Sequence, residues 1–477
     1  MPRHRPHAPC GLHRTPGPGD PDHPVEYHKN TLQMPQMCRG VRSPDNGRIG
    51  GRFHRATTLK HVTFLPPRRP GRRHPPEAAA HAAQYGVPSV PGVEEDNMAA
   101  ESDPEFETRR QLTTSERDLD DLAARLTDWL ADRIPADSAP VITEVSRPQS
   151  SGLSSTSVLF RASWQREGRT ESGSYVARLA PEAGSFPVFR HYDLAAQYSV
   201  MAAVGQRSDV PVPPLCWLET DESVLGTPFF VMGRVDGRIP EDNPPYVFIG
   251  WLFDATTDER ARLAHNTIDI IARLHAIPDP ESAFPALRAG GSGLRAHVDA
   301  TRAWYDWALA ADGYRIPLLE RAFDWLEQHW PAEPGPDVLS WGDSRPGNII
   351  FDGWDPIAVL DWEMAAIGPR ELDVAWLIFI HRFFQDIATG FDQPGLADFL
   401  RRADVVGDYA EITGYHLRDM DFHLVYAALR HGVVMARIKR RMIHFGEDTD
   451  TADRDDYIMH RAALEALLDG TYEWDRP

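Results

Sequence analysis

Cysteine is scarce in this chain of 477 residues, which contains only Cys10, Cys38 and Cys216. None of the three lies in a Cys-x-x-Cys pair, so the sequence argues against a disulfide framework and against a zinc site. Cys216 stands between Leu215 and Trp217, a setting typical of a buried thiol. We therefore expect the protein to work in the reducing cytoplasm.

Long apolar runs and a phosphate-binding P-loop are also missing. No stretch approaches 18 uninterrupted apolar residues, so no membrane-spanning helix is predicted. The pattern Gly-x-x-x-x-Gly-Lys-Ser/Thr does not occur, which excludes the P-loop class of nucleotide-binding proteins. The composition, with 42% hydrophobic and 25% charged residues, is that of a globular protein long enough for two or three domains.

Basic residues are outnumbered, since 50 Lys and Arg face 70 Asp and Glu. The excess is uneven: residues 1–97 hold 14 basic and 8 acidic residues, which leaves 36 basic and 62 acidic residues for the rest. A surface that binds nucleic acid needs cations facing the phosphates, so this balance argues against a nucleic-acid partner. It is typical of an enzyme that holds an anionic substrate locally, through a metal ion and arginine.

Residues 1–97 differ from the remainder because proline, arginine, histidine and glycine dominate and apolar periodicity is missing. Such a segment buries too little apolar surface to fold, so we predict disorder. A basic tail that touches a membrane or a polyanion is the alternative. A third hypothesis is that translation begins at Met98, where the composition becomes acidic and globular. Residues 98–134 are then expected to form an acidic start followed by a helix.

Polar residues accompany three short apolar runs between residues 339 and 363. Asp343 follows the first run, Asn348 precedes the second, and Asp361 ends the third. Each run has the length and composition of a strand, and residues 352–356 form a turn typical of a hairpin. The three polar side chains are therefore expected at one end of a small sheet, although Asp-rich turns of this kind are often only solvated.

An acid, an amide and a second acid suit metal-assisted phosphoryl transfer. One carboxylate takes the proton of the attacking hydroxyl, and the loop position of Asp343 fits that role. Mg²⁺ needs few oxygen ligands from the protein because it keeps several waters, so Asn348 and Asp361 suffice as its ligands.

At these residues the chain resembles the aminoglycoside phosphotransferase family, the small-molecule branch of the protein-kinase-like fold. That family carries His-Gly-Asp-x-x-x-x-Asn and then an aspartate that closes a hairpin; here Trp341 stands in place of the histidine. The resemblance implies a two-lobed α+β fold, with Asp343 as catalytic base and with Asn348 and Asp361 as Mg²⁺ ligands. The chain is most similar to the branch that resembles the kinase-like domain fused to some acyl-CoA dehydrogenases.

The nucleotide-binding N-terminal lobe is expected at residues 135–239, where the pattern is strand-like. Between its first two strands lies a loop rich in serine and glycine, whose N–H groups and hydroxyls can bind phosphates, although most such loops are only turns. The family often has a Gly-x-Ser-Asn loop here, and the resemblance implies four cofactor-binding residues: Ser151, Gly152, Ser154 and Ser155.

Arg178 stands where this fold normally presents a lysine to the α- and β-phosphates of the nucleotide. The next helix should offer a glutamate to that cation, and the aligned residue is Gln197. Either a hydrogen bond between Arg178 and Gln197 replaces the ion pair, or the nucleotide chemistry is weakened. The resemblance also places the adenine base against backbone groups from Met232 to Val235. Its candidate walls, for which core packing is the alternative, are Val176 and Phe230.

The C-terminal lobe is expected at residues 240–477, mainly helical, with the catalytic hairpin inside it. Asp373 matches a family acid that holds the catalytic loop in place, and Glu363 and Arg345 are candidate contacts of substrate or metal. The basic residues at 437–441 end a long helix, where cations interact favourably with the helix dipole. A binding patch for a phosphorylated or coenzyme-A-bearing substrate is the alternative.

The sequence thus predicts an ATP- and Mg²⁺-dependent phosphotransferase that acts on a hydroxyl of a small molecule, with a hydroxyacyl-CoA-type catabolic intermediate as one candidate acceptor. The alternatives are a nucleotide- or metabolite-binding pseudoenzyme of the same fold and an antibiotic-modifying kinase. The sequence leaves open the acceptor, the choice between ATP and GTP, and the oligomeric state.

Overall fold

The computed structural model describes four stretches of the chain: residues 117–134, 136–148, 155–309 and 313–474. Several predictions fall outside these residues, namely those for residues 1–97, Met98, Ser151, Gly152 and Ser154.

The N-terminal lobe is an antiparallel sheet with a helix on each face. Its elements are α1 (Leu119–Ala131), β1 (Val141–Ser146), β2 (Thr156–Arg166), β3 (Arg169–Leu179), α2 (Leu194–Arg207), β4 (Leu215–Glu219) and β5 (Phe229–Gly233). The strand order is β1-β2-β3-β5-β4. In register, Val176 of β3 faces Met232 of β5, and Arg178 faces Phe230.

Helix α1 covers one face of this sheet. Its first turn is capped by Asp118, whose carboxylate accepts hydrogen bonds from the backbone N–H groups of Asp120 and Asp121. Its apolar side chains recur at helical spacing and pack with the buried side chains of alternate strand positions. The ring of Trp129, for example, lies 4.8 Å from the ring of Phe229.

Helix α2 covers the opposite face and connects the two lobes. Side chains alternate between the faces of a strand, so Phe230 and Met232 face α2 while Phe229 and Val231 face α1. The core beneath α2 continues without interruption into the C-terminal lobe. This shared core holds β3 and β5 against the hairpin that follows.

The C-terminal lobe consists of helices around two small two-stranded sheets. Its elements are α3 (Thr257–His275), α4 (Pro280–Ala283), α5 (Gly293–Ala308), α6 (Pro317–Gln328), β6 (Asp337–Ser340), β7 (Ile349–Asp352), β8 (Asp355–Val359), β9 (Ala366–Pro369), α7 (Glu371–Gly390), α8 (Arg402–Thr413), α9 (Met420–His444) and α10 (Arg461–Leu468). Strand β6 pairs with β9, and β7 pairs with β8 as the predicted hairpin.

The connection from α3 to α5 contains α4 and a 3-10 helix, Pro285–Gly290. Helix α3 is capped by Thr256 with Glu259 in a reciprocal capping box. The last helix, α10, begins at Arg461, after a 3-10 turn that ends at Tyr457.

The prediction of a two-lobed α+β fold is confirmed by these elements. Helices in the described part of the chain are all too short or too polar to cross a membrane.

Candidate active site

Asp343 and Asn348 lie side by side in the connection from β6 to β7. Strand β6 ends at Ser340, and the short 3-10 turn Pro346–Asn348 leads into β7. Nδ2 of Asn348 donates to Oδ2 of Asp343 at 2.7 Å and to the backbone oxygen of Asp343 at 3.0 Å. Because both bonds use the amide nitrogen, they leave the amide oxygen of Asn348 for a cation.

Arg345 joins Asp343 to a second acid. Its Nε donates to both carboxylate oxygens of Asp343 at 3.1 Å, and its Nη1 forms an ion pair with Asp242. Burial alone lowers the pKa of Arg345, but the two carboxylates outweigh burial and raise that pKa above its ordinary value. Arg345 is therefore a permanent cation beside the predicted base.

Gly342 has no room for a side chain. Its φ of 93° lies in the left-handed region, and a Cβ atom there would collide with the backbone oxygen of Met364. Glycine is the residue that tolerates both conditions. The glycine of the predicted motif thus allows the catalytic loop to approach the backbone just beyond Asp361.

Asp373, on the first turn of α7, binds the start of the catalytic loop. Its carboxylate accepts hydrogen bonds from Ser340 Oγ at 2.9 Å, from the N–H of Trp341 at 2.7 Å and from the N–H of Gly342 at 2.8 Å. The Nε2 atom of His275 lies 3.0 Å from the same carboxylate. Burial by itself raises the pKa of Asp373, but His275 and the two backbone donors overcome it, so the pKa lies below its ordinary value.

We expect Asp373→Asn to lower the free energy of unfolding by about 3 kcal/mol at pH 7, because a buried and fully bonded carboxylate loses its charge. Because the pKa of Asp373 is lowered in the folded state, its stabilising effect is present above about pH 4 and is lost as the pH falls through the folded pKa. The difference between the two proteins in urea unfolding should therefore shrink below that pH.

The matched control for this variant is Asp408→Asn. Asp408 also pairs with a histidine, since its carboxylate lies 3.0 Å from Nδ1 of His265, but that pair is solvent-exposed. An exposed pair contributes little, so we expect a change below about 1 kcal/mol. Equal destabilisation by both variants would show that Asp373 is an ordinary ion-pair residue rather than the anchor of the loop.

Trp341, in place of the family's histidine, is fully buried. Its indole N–H donates to the backbone oxygen of Leu360 at 2.9 Å, and its ring lies 6.0 Å from the ring of Trp362. The side chain therefore ties the catalytic loop to the residues on both sides of Asp361. A bulky indole at this position is compatible with the loop geometry.

Arg178 reaches across from β3 to the end of the hairpin. Its Nη2 donates to Oδ1 of Asp361 at 2.9 Å and lies 3.8 Å from Oε2 of Glu363. Asp361 itself has a φ of 57°, in the left-handed region that aspartate adopts more readily than most residues. The predicted phosphate-binding cation and the predicted metal ligand are thus in direct contact.

Gln197 does not take the place of the missing glutamate. It is buried on α2, but the side-chain hydrogen bond of Arg178 within the described residues goes to Asp361. The suggested bond between Arg178 and Gln197 is therefore wrong. The carboxylate of Asp361 lies within reach of the guanidinium. Because it is charged, it attracts the guanidinium more strongly than a neutral amide does.

The residues expected to surround the nucleotide differ in how deeply their side chains are buried and in what they contact. The hydroxyl of Ser155 is buried and has no hydrogen-bond partner among the described residues, as expected of a donor that awaits a ligand. Phe230 is 2% exposed and packs edge-on against Tyr198, so it belongs to the core and is not a wall of the base site. Val176 and Val235 are each half-buried.

The segment from Met232 to Val235 runs along the edge where the lobes connect. Several of its backbone groups are already used, because Met232 pairs with strands on both sides, Gly233 donates to the backbone oxygen of Pro214 at 2.7 Å and Arg234 donates to that of Ser174 at 2.9 Å. A base placed here would therefore meet the remaining backbone groups of the segment.

The basic residues at the end of α9 bind the connection between β3 and α2. Arg437 donates to the backbone oxygen of Pro187 at 3.0 Å, and Arg441 donates to that of Ser185 at 3.4 Å. The guanidinium of Arg437 also lies 3.8 Å from the ring centroid of Phe186. These contacts link the two lobes, which favours a structural role for Arg437 and Arg441 over a patch for a phosphorylated or coenzyme-A-bearing substrate.

Three side chains near Asp343 were not singled out by the sequence. Asp242 pairs with Arg345, Trp376 donates to Asp343, and Arg430 donates to the backbone oxygen of Gly342. Trp376 and Arg430 lie inside long helices. From the helical periodicity alone, Trp376 is predicted to be a core residue and Arg430 a surface residue, so no local signal marks either one as part of the site.

The oxygen ligands at this site suit Mg²⁺ better than a metal ion that needs many ligands from the protein. Within the described residues no group of three or more His, Cys, Asp and Glu side chains is placed to hold a metal ion. Mg²⁺ needs fewer protein ligands, and the carboxylate of Asp361 and the amide oxygen of Asn348 are both suitable.

A sheet lobe joined to a helical lobe, with an acid and an amide on the loop before the hairpin, is the architecture of the kinase-like phosphotransferases. A crystal structure from Ralstonia eutropha JMP134, assigned to the aminoglycoside phosphotransferases, has the same fold, with a TM-score of 0.50 and 21% identity over 73% of this chain and 97% of that one. The chain belongs to the phosphotransferase enzyme family, which matches residues 147–415. The predicted resemblance and enzyme class, a small-molecule kinase, are confirmed at this level.

Curated relatives include acyl-CoA dehydrogenase family member 11 of Gallus gallus, 30% identical over 43% of this chain. The protein of the same name from Homo sapiens is 29% identical over 42% of this chain. The chain covers 25% and 24% of the length of these two relatives, so it spans about a quarter of each.

Proposed function

We propose that this protein transfers the γ-phosphoryl group of ATP to a hydroxyl of a small molecule in the cytoplasm. The observation that carries the proposal is the cluster at the end of the hairpin, where the backbone N–H of Leu360, next to Asp361, donates to the backbone oxygen of Asn348 at 2.8 Å. There Asp343 contacts Asn348 at 2.7 Å, while Asp361 contacts Arg178 of the other lobe at 2.9 Å. The cluster supplies a base, oxygen ligands for a metal ion and a cation. This is the set of groups that phosphoryl transfer needs.

Asp343 would accept the proton of the attacking hydroxyl. The side chain of Asp343 is 16% exposed, so an acceptor can reach its carboxylate. Arg345 keeps that carboxylate oriented. Mg²⁺ held by Asn348 and Asp361 would neutralise charge on the transferring phosphoryl group. Oε2 of Glu363 lies 3.8 Å from Nη2 of Arg178, and Glu363 is a candidate for a further contact with metal or substrate.

Arg178 and the loop that ends at Ser155 would bind the nucleotide phosphates. The guanidinium would turn from Asp361 towards phosphate oxygens, which it can bind in a bidentate manner. The buried hydroxyl of Ser155 offers a further donor. The base would lie at the backbone from Met232 to Val235, beside the half-buried Val176.

The acceptor class is inferred from the relatives. Two of them are named as acyl-CoA dehydrogenase family members, so an acceptor of the hydroxyacyl-CoA type is the first to test. A pseudoenzyme that binds nucleotide without turnover is the second candidate, because Arg178 is already paired with a carboxylate and Gln197 replaces the usual glutamate.

The experiment measures ADP release by the full-length protein with Mg·ATP and a panel of acceptors. The panel contains hydroxyacyl-CoAs, choline-like alcohols, sugars and aminoglycosides, and Asp343→Ala serves as the blank. We expect ADP release that depends on one acceptor class and is lost in the variant. Binding of Mg·ATP by calorimetry with no ADP release for any acceptor would favour the pseudoenzyme instead.

A further inference from the structure

Trp376 makes an unusual contact for a residue in the apolar core of a helix. It lies on α7, and its side chain is buried among aromatic residues, with only 3% of it exposed. Its indole Nε1–H nevertheless donates to Oδ1 of Asp343 at 2.7 Å. The ring fills the core while the polar edge fixes one oxygen of the predicted base.

Arg430 supports both Trp376 and the catalytic loop from α9. Its guanidinium carbon lies 4.6 Å from the centroid of the Trp376 ring, within the range of a cation–π interaction. Its Nη2 donates to the backbone oxygen of Gly342 at 3.3 Å. Only 3% of Arg430 is exposed, and burial lowers its pKa below the ordinary value. A cation is costly to bury, so its place here requires compensating contacts of this kind.

Trp376 differs from the other hydrogen-bond donors to Asp343, because each of those has a second role or a second partner. Asn348 bonds Oδ2 of Asp343 but is also the proposed metal ligand, and Arg345 divides its donors between Asp343 and Asp242. The indole N–H of Trp376 donates to Asp343 alone among the described residues, and it comes from a buried position in a long helix. Its bond to Oδ1 can therefore persist while the groups around Oδ2 rearrange.

We propose that Trp376 and Arg430 are positioning residues that together orient the carboxylate of Asp343. Arg430 holds the indole ring and the carbonyl of Gly342, and Trp376 holds Oδ1 of Asp343. The inference rests on the proposed function for its kinetic consequence, but the arrangement itself can be measured without turnover.

The kinetic test compares Trp376→Phe, Arg430→Met and the double variant in the full-length protein. Loss of the indole N–H frees the carboxylate to rotate, so kcat is expected to fall about 10- to 100-fold with the KM for ATP unchanged. Arg430→Met should act in the same direction, and Arg430→Lys, which keeps the cation, should retain more turnover. If Arg430 works mainly through Trp376, the double variant will be close to Trp376→Phe alone.

The control is Trp129→Phe. Trp129 is also a buried indole that donates to a carboxylate, Oε2 of Glu219, at 2.8 Å, but it lies on α1 far along the chain from the catalytic loop. We expect it to lose stability without losing kcat. An equal loss of kcat in the control, or a wild-type kcat in Trp376→Phe, would overturn the positioning role.

A second measurement separates this inference from the proposed function. In full-length protein labelled with ¹⁵N at its tryptophans, the indole signal of Trp376 is the one missing in Trp376→Phe. It is expected to shift in Asp343→Ala and to shift or broaden in Arg430→Met. If that signal is unchanged in both, the inference is wrong even where the enzyme turns over. If it responds while no acceptor gives ADP, the arrangement stands and the proposed reaction fails.

Discussion

Replacing Asp343 by alanine is expected to reduce kcat by about 10²- to 10⁴-fold, the range that general-base catalysis supplies. The affinity for Mg·ATP should change by less than about threefold, because the proposed phosphate and metal contacts come from other residues. Asp343 accepts bonds from Arg345, Asn348 and Trp376, which hold its carboxylate at the exposed end of the loop. ADP release and calorimetry with Mg·ATP would be measured on the same preparation.

Two further variants show whether the loss reflects chemistry. Asp343→Asn keeps the shape of the side chain but cannot act as a base, so it should be as inactive as alanine. Asp355→Ala removes a carboxylate from the hairpin that follows the loop, where it forms an exposed ion pair with Arg262 at 2.7 Å, and should behave as wild type. Turnover by either Asp343 variant near the wild-type rate would rule out Asp343 as the base.

The centre of the candidate site could be predicted because its contacts are local. Asp343 and Asn348 are five residues apart on one loop, and their spacing determines that they meet. The turn between two apolar runs is also a local signal, and it forms the predicted hairpin. Short-range geometry of this kind follows from strand and turn patterns.

Contacts between distant residues could not be predicted in the same way. Arg178 and Asp361 are 183 residues apart, and Arg437 lies 250 residues from Pro187. No periodic pattern specifies which carboxylate or carbonyl such a cation will meet after folding. The bond to Gln197, one of the two alternatives, is therefore not formed, and Arg437 and Arg441 bind backbone oxygens of the N-terminal lobe.

Trp376 illustrates a different limit. A tryptophan in an apolar helix is rightly read as core, and its ring is buried. The pattern says nothing about where the single N–H at the edge of that ring points. Only the packing of α7 against the catalytic loop places it 2.7 Å from Asp343, so one side chain can satisfy the core pattern and serve the site as well.

Asp361→Asn is expected to change nucleotide binding in opposite directions with and without magnesium. With Mg²⁺, the loss of a charged ligand should reduce kcat by on the order of 10³-fold and weaken nucleotide binding. Without Mg²⁺, ATP should bind slightly more tightly than to the wild type. The reason is that Arg178 no longer has to leave a carboxylate 2.9 Å away before it can meet the phosphates.

The matched variant for this prediction is Glu363→Gln. Its carboxylate is also near Arg178, but at 3.8 Å, so its effect on ATP binding without Mg²⁺ should be the smaller one, since attraction falls with distance. Calorimetry of ATP with and without Mg²⁺ would be run on both variants and the wild type. If Asp361→Asn keeps the wild-type response to Mg²⁺, Asp361 is not a metal ligand. If neither variant strengthens binding without Mg²⁺, the contact between Arg178 and the hairpin does not compete with the nucleotide.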